Sequence, residues 1–385
     1  MQADHGNKPE GKDLSVDIMA EHKQFFQNLD PICQEMVKCL KGIEKFQRRF
    51  FPPEISSLRE EVLSLRTSID KVWEPLHTLK PPEKFKEQID TIISAYDLIA
   101  KALQMIISAH TDNFQQTVMR VMQAFRKSCQ AQDLLFSNRQ ISPHINRFFL
   151  EPPFHDQPEK LYPKPTAHMK TGLYHMGTER DPYARGALSL YIPESYDGTR
   201  AWPVVVVLHG GFGHGRDFIW NWMREARSRE FLLMSPSSKD TTWSILNPEI
   251  DGTSLVEMLS YVKRNWNVES DRILLTGISD GATFALMNSL WENSPFTAFA
   301  LIASAFPPID FSKAKGKRIY WIHGALDWMF PVQIAVSGYQ VLKKEGVEAV
   351  LRVVEDLSHT YPRDENDRIL TWFDPNLALP EMGSR

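Results

Sequence analysis

Ser279 is the residue whose setting points most directly to chemistry. It is the middle residue of Gly-Ile-Ser-Asp-Gly at 277–281, which follows an apolar run at 272–276 and precedes a helix-like segment at 282–291. A tight turn between a strand and a helix needs glycines beside the serine, because larger side chains would collide with neighbouring backbone. The sequence therefore predicts that Ser279 presents its hydroxyl as a nucleophile above a sheet.

A serine hydroxyl is a weak nucleophile at neutral pH, so it needs a base, and the base needs an acid to orient it. His359 comes just after the last predicted strand, and Asp327 comes just after the strand before it. Their order along the chain, with each residue at a strand end, predicts a catalytic triad of Ser279, Asp327 and His359. No spaced set of histidines and carboxylates indicates a metal, and no cofactor is expected.

A glycine-rich segment, His-Gly-Gly-Phe-Gly at 209–213, closes a second apolar run at 203–208. A turn of this kind can direct a backbone N–H group at the negative charge that develops on a carbonyl oxygen under attack. We expect one amide of this oxyanion hole from Gly211 or Phe212, and the other from Asp280, the residue after the serine.

Aromatic and histidine side chains near these motifs are weaker candidates. Trp243 and Trp328 are expected to line an apolar substrate pocket, with ordinary packing beneath the loops as the alternative. His209 and His323 each precede a glycine at a strand end, where an imidazole usually bonds to loop backbone groups.

These candidates lie in a region that alternates between strand and helix patterns from about residue 170 onward. Continuous β-branched and apolar runs, typical of strands buried on both faces, are separated by helical segments such as 254–265 and 332–345. The alternation predicts an α/β fold, with a mainly parallel sheet and helices on both faces. The strand-like runs are at 187–193, 203–208, 231–234, 272–276, 298–302, 318–322 and 349–354.

On these motifs, residues 170–375 resemble an α/β-hydrolase. They are most similar to carboxylesterases of the phospholipase/carboxylesterase and dienelactone-hydrolase-like groups. The resemblance implies that Ser279 is the nucleophile, His359 the general base and acid, and Asp327 its orienting acid, beside the oxyanion hole described above. Asp280 departs from the family pattern, in which a neutral or larger residue usually follows the nucleophile. As an acid in a first helical turn, it can also simply stabilise the helix dipole.

The first 150 residues differ from the rest of the chain in glycine content and in the spacing of their apolar residues. They contain only 3 of the 19 glycines, and their apolar residues recur at alternating spacings of three and four. Such spacing places an apolar stripe along one face of each helix, and four stripes predict an all-α helical bundle at 1–150. Asp30 is expected to cap one helix, with Pro31 at its first position.

A proline-rich segment at 151–169 is expected to be a stiff, extended linker to a catalytic domain at 170–385. Some apolar residues of the bundle fall outside the stripes, and a contiguous apolar surface of this kind usually marks an interface. We therefore expect a homodimer through the bundle, with coverage by the catalytic domain as the alternative. The residues outside the stripes are Ile93, Leu98, Met105, Ile107, Met119 and Met122.

Composition narrows the possible partners and the compartment. Lys and Arg total 44 against 48 Asp and Glu, so the net charge of −4 leaves no basic excess for nucleic acid. Three cysteines without a disulfide pattern favour a reducing compartment, and no leader or membrane-spanning stretch is apparent, so we expect a cytoplasmic protein.

The expected activity is hydrolysis of a small-molecule carboxylic ester through an acyl-enzyme. The same residues would also suit a thioesterase or a serine peptidase. A non-catalytic interaction protein on a hydrolase scaffold is less favoured, because a scaffold does not need all three members of a triad.

Overall fold

The computed structural model describes most of the chain, namely residues 22–109, 113–164, 169–177 and 181–380. It divides into two compact units, Met1–Tyr162 and Pro163–Arg385. Over the described residues, the first unit contains helices without strands, whereas the second contains a sheet. Within the same ranges, no helix is long and apolar enough to cross a membrane.

Long helices of the first unit bury most residues of the predicted stripes. In the clearest stripe, Ile92, Ile99 and Ile106 are fully or almost fully buried, which is the outcome expected of a 3.6-residue period. The all-α expectation for this region is thus confirmed. The helices are α1 (Lys23–Arg49), α2 (Ile55–Asp70), α3 (Trp73–Thr78), α4 (Lys86–Ile107), α5 (Phe114–Ser137), α6 (Pro143–Phe148) and α7 (Pro158–Leu161).

The first helix begins earlier than the sequence pattern predicts. Pro31 lies inside α1 rather than at its first position. The earlier start is favoured by Phe25, which is buried and stacks on Phe85 with the ring centroids 5.7 Å apart. Asp30 is therefore not a cap, and its carboxylate instead accepts a hydrogen bond of 3.0 Å from the Ser142 hydroxyl.

The segment predicted as an extended linker, 151–169, differs from that expectation over its first part. Short helical turns form at Pro152–Phe154 and Pro158–Leu161. The buried side-chain amide of Asn146 donates a hydrogen bond of 2.8 Å to the Leu161 carbonyl, which ties this stretch to the first unit. Prolines at the first positions of helical turns lose no backbone hydrogen bond, so a proline-rich stretch can fold in this way.

The second unit is built on an eight-stranded sheet with the order β1-β2-β4-β3-β5-β6-β7-β8. The pairs β1–β2 and β2–β4 are antiparallel, and every other pair is parallel. The predicted mainly parallel α/β sheet is thus confirmed. The strands are β1 (Gly172–Met176), β2 (Leu188–Ile192), β3 (Trp202–Leu208), β4 (Leu232–Pro236), β5 (Val268–Ile278), β6 (Ala298–Ile302), β7 (Arg318–Gly324) and β8 (Glu348–Val354).

The central strands are buried along their whole length, as the β-branched runs predict. Every residue of β3 and β6 is buried, so both faces of these strands are covered. The helices of the second unit are α8 (Gly215–Phe218), α9 (Met223–Arg229), α10 (Glu249–Asn265), α11 (Asp280–Asn288), α12 (Val332–Lys344) and α13 (Asn366–Phe373).

Strand register brings the candidate loops to one edge of the sheet. Leu208 at the end of β3 pairs with Gly277 of β5, and Gly324 at the end of β7 pairs with Val354 of β8. The loops after these strands therefore start side by side at the carboxyl edge, where parallel sheets carry their ligand sites.

Candidate active site

Ser279 occupies the turn between β5 and α11, in a backbone conformation that few residues adopt. Its φ is 55° and its ψ is −122°. Its N–H group donates a hydrogen bond of 2.9 Å to the Ile302 carbonyl at the end of β6, which helps to hold the turn. Such strained backbone costs on the order of 1–3 kcal/mol, and it concentrates at functional sites.

Both glycines beside Ser279 are required by close backbone contacts. A Cβ on Gly277 would lie 2.7 Å from the carbonyl carbon of Gly281. A Cβ on Gly281 would lie 2.4 Å from the carbonyl oxygen of His209. The motif therefore has the steric origin that the sequence predicts.

The structure brings Ser279, His359 and Asp327 into one chain of hydrogen bonds. Nε2 of His359 lies 3.0 Å from Oγ of Ser279, and Nδ1 lies 2.9 Å from Oδ2 of Asp327. An ionised carboxylate only accepts hydrogen bonds, so Nδ1 carries the proton, and Nε2 is left to accept the serine O–H. This is the tautomer that a general base on the serine requires.

Backbone amides hold the Asp327 carboxylate in place. Its Oδ1 accepts hydrogen bonds from the N–H groups of Met329 at 2.9 Å and Phe330 at 2.7 Å. The buried His323 lies 2.8 Å from the Phe330 carbonyl through its Nε2, to which it donates. Burial lowers the pKa of His323, so this ring stays neutral beside the carboxylate.

The glycine-rich turn after β3 contains Gly211 and Phe212, the two alternatives expected for one oxyanion amide. The Phe212 N–H donates a hydrogen bond of 2.8 Å to the Thr241 carbonyl, so it is already engaged and the expectation for Phe212 is corrected. The amides of Gly211 and Asp280 have no hydrogen-bond partner among the described residues. They remain the two candidate donors.

Thr242 joins this site without any signal in the sequence. Its hydroxyl donates a hydrogen bond of 2.5 Å to Oδ2 of Asp280, which opens α11. The threonine belongs to the irregular loop after β4, and no motif marks it. Only the tertiary structure brings it to the turn that carries Ser279.

His209 serves the backbone, as the sequence analysis expects. Its Nδ1 donates to the Gly210 carbonyl at 2.7 Å, and its Nε2 accepts a hydrogen bond of 3.1 Å from the Ser238 N–H. Burial lowers the pKa of His209 to about 3. The neutral ring thus links the loops after β3 and β4 through its hydrogen bonds.

The two tryptophans expected to contact substrate have different surroundings. Trp243 is buried, stacks on Phe284, and donates a hydrogen bond of 2.7 Å from Nε1 to the His209 carbonyl. This burial and these contacts match the alternative of ordinary packing beneath the loops, so Trp243 belongs to the core. Trp328 is half-buried, and its ring centroid lies 5.6 Å from that of His359, so it is placed beside the proposed base.

In the part of the chain that the structure describes, no group of three or more His, Cys, Asp or Glu residues is arranged to hold a metal ion.

Comparison with known protein families finds a match within the second unit. The phospholipase/carboxylesterase family model matches residues 253–374, a stretch that includes Ser279, Asp327 and His359. No curated protein sequence matches the chain.

Several solved structures are similar to part of the chain. A thermostable esterase has 18% identity and a TM-score of 0.43, over 52% of this chain and 61% of its own length. The Bacillus cereus carboxylesterase has 16% identity and a TM-score of 0.41, over 49% of this chain and 93% of its own. The acetyl xylan esterase from Aspergillus awamori has 15% identity and a TM-score of 0.43, over 52% of this chain and 98% of its own length.

The strand order, the strained serine turn and the family-model match agree with one another. The second unit thus has the mainly parallel sheet expected of an α/β-hydrolase, and its residues 253–374 are similar to the phospholipase/carboxylesterase family.

Proposed function

We propose that the protein is a serine carboxylesterase that hydrolyses a small-molecule carboxylic ester through an acyl-enzyme on Ser279. The observation that carries the proposal is the unbroken chain of hydrogen bonds from the Ser279 hydroxyl through His359 to Asp327. Its members come from loops that start at one edge of the sheet, where a substrate carbonyl can reach the serine.

In the first step, Oγ of Ser279 attacks the ester carbonyl carbon while its proton moves to Nε2 of His359. The imidazolium that forms is stabilised by the buried carboxylate of Asp327. The carbonyl π electrons move onto the carbonyl oxygen, which becomes an oxyanion. The amides of Gly211 and Asp280 are the proposed donors to that oxygen.

In the next steps, the tetrahedral intermediate collapses and the bond from carbon to the leaving alkoxide breaks. His359 gives its proton to the alkoxide, which departs as an alcohol, and the acyl group stays on Ser279. A water molecule then attacks the acyl carbon while His359 takes one of its protons. The bond from that carbon to Oγ of Ser279 breaks, His359 returns the proton to Oγ, and the carboxylic acid is released.

An activity-based probe tests this proposal directly. A fluorophosphonate should label the wild-type protein and leave Ser279→Ala unlabelled, while Ser312→Ala, which changes an exposed serine of the same unit, should be labelled normally. A folded wild-type protein that stays unlabelled would overturn the proposal. It would favour the interaction protein as the alternative.

Substrate comparison separates the ester from the other leaving groups. Matched p-nitrophenyl ester, acyl thioester and aminoacyl amide substrates should rank with the ester first in kcat/KM. A higher kcat/KM for the thioester or the amide would keep the serine hydrolase and reject the carboxylesterase.

We also propose a cytoplasmic location. Support comes from Cys33 and Cys39, which are buried free thiols. Fractionation of cells that express the tagged chain tests the location, and recovery in a secreted or organellar fraction would reject it.

A further inference from the structure

Three loops meet around the carboxylate of Asp280. Its Oδ2 accepts the Thr242 hydroxyl at 2.5 Å, which joins α11 to the loop after β4. The next residue back in that loop, Thr241, accepts the Phe212 N–H at 2.8 Å through its carbonyl. The two threonines thus connect the start of α11 to the turn that holds Gly211.

That turn contains a strained residue whose side chain does not anchor it. Phe212 has a φ of 59°, although the left-handed region costs a non-glycine residue about 1–2 kcal/mol. Its side chain is 75% exposed, so packing of the ring does not explain the conformation. What holds it is backbone hydrogen bonding, to Thr241 on one side and between Gly213 and Gly210 at 3.0 Å across the turn.

Gly211 packs directly against the same carboxylate. A Cβ on Gly211 would lie 2.8 Å from Oδ2 of Asp280, closer than real Cβ contacts allow. The carboxylate therefore lies in close contact with the backbone of Gly211. The hydrogen bond from Thr242 sets the position of the Asp280 carboxylate.

We infer that Thr242 and the Asp280 side chain are positioning residues. Their hydrogen bond, called the clip below, holds the Gly211 amide where it and the Asp280 amide can both donate to the oxyanion. The inference rests on the proposed function, because the clip acts on the oxyanion hole of that mechanism. Oxyanion stabilisation depends on donors that are fixed before charge develops, so a loosened turn weakens the transition state more than substrate binding. The effect therefore falls on kcat rather than on KM.

The hydrogen bond from Thr242 distinguishes the clip from a purely electrostatic role of the Asp280 carboxylate. If Asp280 acted only on the dipole of α11, the hydroxyl of Thr242 would have no kinetic role.

Kinetics of p-nitrophenyl acetate hydrolysis by variants of the full chain test the clip. Thr242→Val should lower kcat by about tenfold to a hundredfold, with KM changed by less than about threefold, because one oxyanion donor loses its alignment. Thr242→Ser should restore activity, since it keeps the hydroxyl. Thr241→Val is the matched control, because its side chain is exposed and only its carbonyl takes part.

Variants of Asp280 complete the test. Asp280→Ala should lower kcat as far as Thr242→Val does, because it removes the acceptor of the Thr242 hydroxyl. The double variant Thr242→Val with Asp280→Ala should fall little further, because the two side chains act as a unit. Thermal unfolding of each variant confirms that it is folded.

The outcomes separate the clip from the proposed function. If the wild-type protein hydrolyses the ester and Thr242→Val matches it in kcat, the clip is wrong and the esterase proposal stands. Equal losses in Thr242→Ser and Thr242→Val would also reject the clip. If the wild-type protein neither reacts with fluorophosphonate nor hydrolyses the ester, the proposed function itself fails.

Discussion

The backbone of Gly324 packs against the carbonyl of Leu357, so closely that a Cβ on Gly324 would lie 2.1 Å from the carbonyl oxygen. Gly324 ends β7 just before the loop of Asp327, and Leu357 precedes His359 in the loop after β8. The Leu326 N–H donates a hydrogen bond of 3.0 Å to the same carbonyl. The distance between the acid and the histidine therefore depends on the absence of a side chain at 324.

We expect Gly324→Ala to lower kcat at least about tenfold and to lower the melting temperature, because the added methyl group must push the two loops apart. Gly177→Ala is the matched control, since its Cβ would meet Ala187 at an ordinary 3.4 Å. Ester hydrolysis and thermal unfolding measure the two effects. A Gly324→Ala enzyme with wild-type kcat would show that the loops do not depend on this contact.

Variants of the proposed triad should behave as a unit. Ser279→Ala and His359→Ala should each lower kcat by about three orders of magnitude or more, and the double variant should cost little more than either alone. The reason is that the serine is not activated without the base, and the base has no substrate to act on without the serine. Additive losses in steady-state kinetics would contradict a shared role.

The acid can be tested separately. Asp327→Asn should lower kcat somewhat less than the other two, because the neutral amide cannot stabilise the imidazolium as a carboxylate does. Asp356→Asn, which changes an exposed acid in the loop of His359, is the matched control and should stay near wild type. The reverse result would make Asp356 the residue that orients His359.

Much of the site could be predicted because its signals are local. The glycines around Ser279 and the strand-end positions of Asp327 and His359 reflect short-range backbone geometry, which a sequence displays directly. Continuous apolar runs likewise predict the central strands. The half-buried β1 has no such run, and the sequence analysis did not assign it as a separate strand.

What could not be predicted depends on contacts between distant parts of the chain. The role of Thr242 follows from the path of an irregular loop, and the burial of Trp243 follows from Phe284 lying beneath it. The early start of α1 has the same origin, because Phe85, in the short turn before α4, packs against Phe25. Propensity and spacing describe one element at a time, whereas these features need two.

The buried histidine at 209 should make folding stability depend on acid. Its pKa is lowered to about 3 by burial, against 6.5 for an ordinary histidine. Its Nε2 accepts the Ser238 N–H, an arrangement that a protonated ring cannot keep. The unfolded chain binds a proton as the pH falls below about 6.5, while the folded chain does so only near 3. The contribution of the neutral His209 ring to the free energy of unfolding is therefore fully present above about pH 6.5. It is lost as the pH falls towards 3.

We expect the free energy of unfolding to fall by about 1.4 kcal/mol for each pH unit in this window from His209 alone. The neutral ring of His323, whose pKa is also lowered by burial, acts in the same direction. Urea unfolding at several pH values should show a shallower slope for His209→Gln than for wild type, by about one proton. Equal slopes would mean that His209 titrates normally in the folded protein.

The apolar surface of α5 bears on the oligomeric state. Met119 is 53% exposed and Met122 is 40% exposed, whereas Ile107, also expected on that surface, is buried. The expected surface is therefore smaller than the sequence suggests, with exposed methionines concentrated on α5. An exposed apolar patch is stabilised by burial, at about 1.5–3 kcal/mol for each large side chain.

A homodimer through this patch stays a prediction, and light scattering of the full chain tests it. The wild-type protein should show twice the 44.4 kDa of one chain, and Met119→Gln with Met122→Gln should shift it towards the monomer at the same concentration. Leu63→Gln, which changes a 42% exposed leucine of α2, is the matched control and should leave the dimer intact. A wild-type chain that stays monomeric at high micromolar concentration would reject the dimer.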